Sequence, residues 1–176
     1  PKMTQLVSRI ADGAILLQGI SDALLDRADE WLAEGAAEVG RNPKELDVAC
    51  WVPLGIDDRP DIARDQVRVR VAGAIMNAKA EWFDGPEREA VEKVQASYKD
   101  FQHAGSNADH ARILPDQIVD RYAIAGDAGI VRAQLSRLMS RESLDQVILT
   151  PQASADERMD LVALLKRMDR DVLGRL

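Results

Sequence analysis

The chain is poor in aromatic side chains, which make up 4% of its 176 residues. A core must therefore come from Ala, Val, Leu and Ile, and with 46% apolar residues there is enough for one domain. Cysteine occurs once, at Cys50, so an intrachain disulfide is excluded. There is no run of 18 apolar residues, and no basic segment followed by an apolar core at the start. Neither a transmembrane helix nor a signal peptide is expected, and with the lone cysteine this points to the cytoplasm. Basic residues are outnumbered 23 to 30, a net charge of −7 that disfavours nucleic acid and anionic membranes as partners. The two histidines, His103 and His110, lie seven apart near a polar stretch. Even with Asp109 beside them that spacing does not match a helical metal pair, and no metal site is expected. There is no dinucleotide-binding glycine motif, phosphate-binding loop or nucleophile elbow.

What is present alternates. Met3, Leu6, Val7 and Ile10 have helical spacing, with Pro1 suited to a first turn. Ala14-Ile15-Leu16-Leu17 is a short, wholly apolar run, as a buried parallel strand requires. Ser21 and Gly40 bracket a helix from about Asp22 to Val39. A second strand covers Val48–Leu54, and a helix runs from about Asp61 to Asn77. Residues 78–116 read as a mostly helical, polar insertion, with apolar spacing from Pro86 to Phe101 and a loop over Gln102 to Asp109. Ile118, Tyr122, Ala123 and Ile124 form an apolar patch ending at Gly126. Asp127 opens a helix to about Ser140, Gln146–Thr150 is the third strand, and a final amphipathic helix covers about Ala155 to Leu173. Strands alternating with helices predict an α/β fold of parallel βαβ units, here one unit over residues 1–176 with each strand buried on both faces.

Three parallel strands leave two edges and a face bare. Either the chain pairs with a second copy or the rest of the sheet lies elsewhere. The opening Pro1-Lys2-Met3, without an initiator Met, is explained by Met removal or by the chain being a piece of a longer protein.

Ile10-Ala11-Asp12-Gly13-Ala14-Ile15-Leu16, Val48-Ala49-Cys50-Trp51-Val52-Pro53, Arg121-Tyr122-Ala123-Ile124-Ala125-Gly126 and Leu144-Asp145-Gln146-Val147-Ile148-Leu149-Thr150-Pro151 occur in an order that resembles the bacterial-luciferase-like monooxygenase family. The similarity is to its deazaflavin (coenzyme F420)-dependent methylenetetrahydromethanopterin reductase-like branch, and it runs over nearly the whole chain. The resemblance implies the C-terminal portion of a (β/α)8 TIM barrel, with strands six to eight and their helices. It implies coenzyme F420, or FMN as the alternative, as cofactor. It also places much of the coenzyme-ring contact in the absent first half, so no catalytic residue is carried over.

Pro1 and Lys2 are candidate coenzyme ligands. They stand at a helix start whose free N–H groups favour phosphate, and the resemblance places the coenzyme's phosphate-bearing side chain nearby. The family's glycine before Pro1 is missing, and an ordinary helix start is the alternative. Gln18 and Gly19 follow the first strand, where barrel loops build active sites, and are candidates for the same coenzyme. Gln152, after the last strand, is a candidate substrate ligand by the same argument; a solvated turn is the alternative for each. By resemblance Arg121 contacts an anionic substrate group; an ion pair with Asp120 or Asp116 is the competing reading. Trp51 lines a pocket or, more simply, packs in a barrel layer, and Cys50 is buried and inert.

Two functions follow. One is part of an oxidoreductase that moves hydride between a reduced deazaflavin or flavin and a small organic substrate. The other is a truncated, non-catalytic barrel relative acting as a binding or assembly protein that dimerises through its open sheet. The expected partners are the small-molecule substrate and either a homo-oligomer or the missing N-terminal half of the barrel. This piece by itself is expected to be inactive.

Overall fold

A computed structural model describes residues 1–98, 109–152 and 161–176. Its sheet is built on one strand. β2 (Asp47–Ile56) pairs in parallel with β1 (Gly13–Leu16), with β3 (Ile124–Gly126) and with β4 (Gln146–Pro151). β1 pairs with residues 47–50, β3 with 54–56, and β4 with 49–54. The span of β4 overlaps both others, so β1 and β3 lie end to end along one edge of β2 and β4 takes the other edge. Asp145 secures the entry of β4: its N–H donates to the Val48 carbonyl at 2.9 Å and its carboxylate accepts from the Val48 N–H at 2.8 Å.

Alternation along the strands separates two faces. Leu16, Val48, Cys50, Val52, Leu54 and Ile56 point outward and are buried. They pack beneath α2 (Asp22–Glu38), α7 (Ala128–Met139) and the end of α8 (Leu161–Asp171), against Ala28, Leu32, Val131, Leu135, Leu138 and Met168. The opposite face carries Ile15, Leu17 and Trp51, which are 62%, 46% and 42% exposed. Burial on both faces is therefore corrected to burial on one. The runs are apolar because both faces are apolar, but the described residues cover the opposite face only at its C-terminal end, where Pro53, Gly55 and Ala125 are buried.

Over the C-terminal end of that open face lies α3 (Pro60–Ile75). Gly55 makes this crossing possible, because a Cβ there would overlap the Ala63 carbonyl oxygen. The Gln66 side chain accepts from the Ile56 N–H at 3.0 Å. α3 is fixed in turn to α6 (Asp116–Tyr122), where Arg64 forms two hydrogen bonds to Asp120, at 2.8 and 3.0 Å, and Arg68 pairs with Asp116 at 2.7 Å. α4 (Gly85–Ser97) and the short α5 (Asp109–Arg112) fill the expected insertion and pack on α3 through Val91, Val94 and Ala111. The sequence expectations for 99–108, including His103 and the loop, and for the start of the final helix lie outside the described residues.

The other differences are local. Residues Ile124–Gly126 form a strand that the sequence reading took as part of an apolar patch, because three residues are too few to show a period. Trp51 is not a packed core ring, for it is 42% exposed and lines a cleft beside α3. Among the described residues no helix is long and apolar enough to cross a membrane, and no group of His, Cys, Asp and Glu is placed to hold a metal ion.

Candidate functional site

The C-terminal ends of parallel strands gather on one side, and two adjoining clefts open there. The larger, about 660 Å³, lies between the start of α1 (Lys2–Ile10), the end of β1 and the segment after α3. Pro1, Lys2, Met3 and Thr4 form one wall, Leu17 and Gln18 the floor, and Trp31, Trp82 and Tyr122 the aromatic side. Asn77 and Lys79 complete it, and among the described residues no carboxylate contributes to its lining. Lys79 meets Glu81 at 3.2 Å outside the cleft, in an exposed pair that solvent screens. The smaller cleft, about 360 Å³, lies under α3 against the open face of the sheet, with Trp51, Pro53, Arg70, Thr150 and Gln152 among its lining. Leu17, Ala74 and Asn77 line both clefts.

Gln18 and the two tryptophans are held by specific contacts. Gln18 donates to the Thr4 hydroxyl at 2.9 Å, which ties the β1 end to the first turn of α1. Trp31 and Trp82 contact each other at 5.4 Å between ring centroids, and the Arg27 guanidinium sits 5.1 Å from the Trp82 ring. Burial pushes the Tyr122 phenol up to about 12, so it stays a neutral donor at any physiological pH.

Of the residues singled out in the sequence, Pro1, Lys2 and Gln18 come together in the larger cleft and Gln152 lies in the adjoining one. Gly19 lines neither; its φ of +96° turns the chain. A Cβ there would fall 2.6 Å from Leu24 and 2.8 Å from the Arg121 carbonyl. That carbonyl accepts the N–H groups of Ile20 and Ser21. Arg121 pairs at 2.7 Å with Glu87, neither Asp120 nor Asp116, and lies 4.9 Å over the Phe83 ring, away from both clefts. The two aspartates are taken by Arg64 and Arg68 instead. Trp31, Trp82, Asn77, Lys79 and Arg70 were not legible as site residues, since they reach the clefts from helices and turns with no shared local pattern.

The family model for luciferase-like monooxygenases matches residues 1–143. The chain belongs to this family. Among curated members it is 25% identical over 143 residues to a 5,10-methylenetetrahydromethanopterin reductase from Methanolobus tindarius, a match covering 79% of this chain and 42% of that one. It is 24% identical over 153 residues to the enzyme of the same name from Methanopyrus kandleri, covering 86% and 42%. The chain thus spans less than half the length of these luciferase-like relatives. Its fold is similar to that of a coenzyme F420-dependent tetrahydromethanopterin reductase from Methanopyrus kandleri, with a TM-score of 0.67 at 22% identity over 99% of this chain and 48% of that one. It is also similar to an F420-dependent secondary alcohol dehydrogenase in complex with an F420-acetone adduct, with a TM-score of 0.61 at 16% identity over 87% and 41%. The parallel α/β sheet is thereby that of the luciferase-like barrel proteins.

Proposed function

We propose that this chain is a single unit of a luciferase-like (β/α)8 barrel, carrying strands six to eight with the helical insertion at about 78–116. In the complete protein it would serve an oxidoreductase that transfers hydride between reduced coenzyme F420, with FMN as the alternative, and a small organic substrate. The observation that carries this reading is the 660 Å³ cleft, with its cations, amides and aromatic rings and no lining carboxylate among the described residues. Its donor set fits a planar heterocycle bearing an anionic side chain. Lys2 and the free N–H groups opening α1 would hold the anionic chain, and Lys79 adds charge. Gln18 and Asn77 offer amides to a polar edge, while Trp31, Trp82 and Tyr122 shield the cleft from water. The coenzyme, when bound, supplies the hydride chemistry; these residues bind and orient it. The assignment of Pro1, Lys2 and Gln18 to the coenzyme and of Gln152 to the substrate belongs to this reading. Gly19 would act only through the turn that presents Gln18. A substrate contact by Arg121 would require it to leave Glu87. A cytoplasmic location belongs to the same reading and rests on the family alone.

The test is a titration with coenzyme F420 and with FMN, followed by tryptophan fluorescence. Saturable quenching by at least one is expected, without turnover by this chain alone. Lys2→Gln should weaken it about tenfold, as loss of a charge-assisted contact does. Absence of saturable quenching by both, or unaltered affinity in both Lys2→Gln and Lys79→Gln, overturns the reading. The second reading, a non-catalytic relative that dimerises through its sheet, is favoured by the exposed Ile15, Leu17 and Trp51. It predicts a stable dimer with no coenzyme response.

A further inference from the structure

The smaller cleft contains a cation that the fold does not use. Arg70, near the end of α3, is solvent-exposed and forms no ion pair among the described residues. The neighbouring α3 arginines differ, for Arg64 and Arg68 both have aspartate partners. The Arg70 Nε–H donates to the Gln152 side-chain oxygen Oε1 at 3.1 Å, and the Gln152 side-chain nitrogen Nε2 donates to the Thr150 backbone carbonyl at 3.0 Å. The guanidinium is thus oriented from the end of β4, and its two terminal nitrogens have no partner among the described residues. Beside it the Trp51 ring is held by an Nε1–H donation to the Thr150 hydroxyl at 3.1 Å, and that hydroxyl donates to the Val52 carbonyl at 3.2 Å. Leu17, Pro53, Val69 and Ala74 make the remaining surface apolar. The cleft also meets the larger one through Leu17, Ala74 and Asn77.

We propose that this cleft is the substrate site and that it takes a small molecule with an apolar, flat body and one anionic group, a carboxylate or a phosphate. The body lies against Trp51 and Pro53, and the terminal nitrogens of Arg70 grip the anion. A planar guanidinium offers two parallel N–H donors that match either oxyanion, which an ammonium does not. Gln152 is a positioning residue: it touches Arg70, and its role is to aim the fork. The inference deepens the oxidoreductase reading by naming the substrate class, and it moves anion recognition from Arg121 to Arg70.

The probes are benzoate, phenyl phosphate and the uncharged benzyl alcohol, and the signal is the Trp51 indole N–H resonance, assigned by its loss in Trp51→Phe. At least one anion is expected to shift that resonance saturably, with benzyl alcohol at least tenfold weaker; the tighter anion identifies the substrate's group. Arg70→Gln should weaken anion binding about tenfold or more, and Arg88→Gln, a remote exposed arginine, should leave it unchanged. Gln152→Ala should weaken binding in the natural background and have no further effect in Arg70→Gln. Equal response to benzyl alcohol, an unaltered Arg70→Gln affinity, or additive effects of the two variants overturns the proposal. Anion binding that survives while both coenzyme titrations fail would retain this site and remove the oxidoreductase reading; the reverse pattern would do the opposite.

Discussion

Cys50 and Trp51 are neighbours in β2 and meet opposite environments. Cys50 faces the helical layer, fully buried, and that burial pushes its thiol up to about 11 from an ordinary value near 9. Only the thiolate attacks a disulfide reagent, so at pH 8 the native thiol should be inert and its labelling should follow unfolding in urea. Because the folded value lies above the unfolded one, the associated stability is complete below pH 9 and is lost as pH rises towards 11. Denaturation midpoints should therefore fall over that window, and fall less in Cys50→Ala; parallel pH profiles for the two proteins would refute this. Cys50 could be read from sequence, since an apolar strand buries its middle on at least one face. Trp51 could not, because whether the second face is covered depends on elements far away in the chain. The arginines teach the same lesson. Arg121 stands out in an apolar stretch yet is neutralised by Glu87, 34 residues earlier, whereas Arg70 looks like the other surface charges of α3 but, unlike Arg64 and Arg68, has no carboxylate partner among the described residues.

At the scale of elements, β1, β2 and β4 were legible because unbroken apolar runs between amphipathic segments have few other solutions in an α/β chain. The position of α3 was not. Its sequence shows a helix, but its place over the open face depends on Gly55, which admits the Ala63 carbonyl, and on the Gln66 bond to Ile56. Gly55→Ala should push α3 away from β2 and cost about 1–3 kcal/mol, as overpacking in a tight contact does. The denaturation midpoint should drop, and the Trp51 indole resonance should move as the smaller cleft changes shape. An Ala variant with wild-type stability and an unmoved resonance would show that α3 is held by its arginine pairs with α6 instead.

For the whole molecule, the uncovered face and the two outer sheet edges dominate. Exposed Ile15, Leu17 and Trp51 adjoin α1, whose own Met3 and Ile10 are 71% and 74% exposed while its Thr4 and Ser8 are buried against α2. Apolar surface of this extent drives association. Light scattering should report a mass above 19.4 kDa at micromolar concentration, and replacing Ile15 and Leu17 together with Thr should shift the population towards monomer. A monodisperse 19.4 kDa species that binds no apolar dye would count against it. The sheet also has a temporal consequence. β1 and β2 are near neighbours in sequence, but the Val48–Asp145 contact that seats β4 closes a loop of 97 residues. On a ribosome, where the chain emerges from its N-terminal end, one flank of β2 stays unpaired until synthesis has passed residue 151, and for that interval nascent β2 is a template that any passing strand can join.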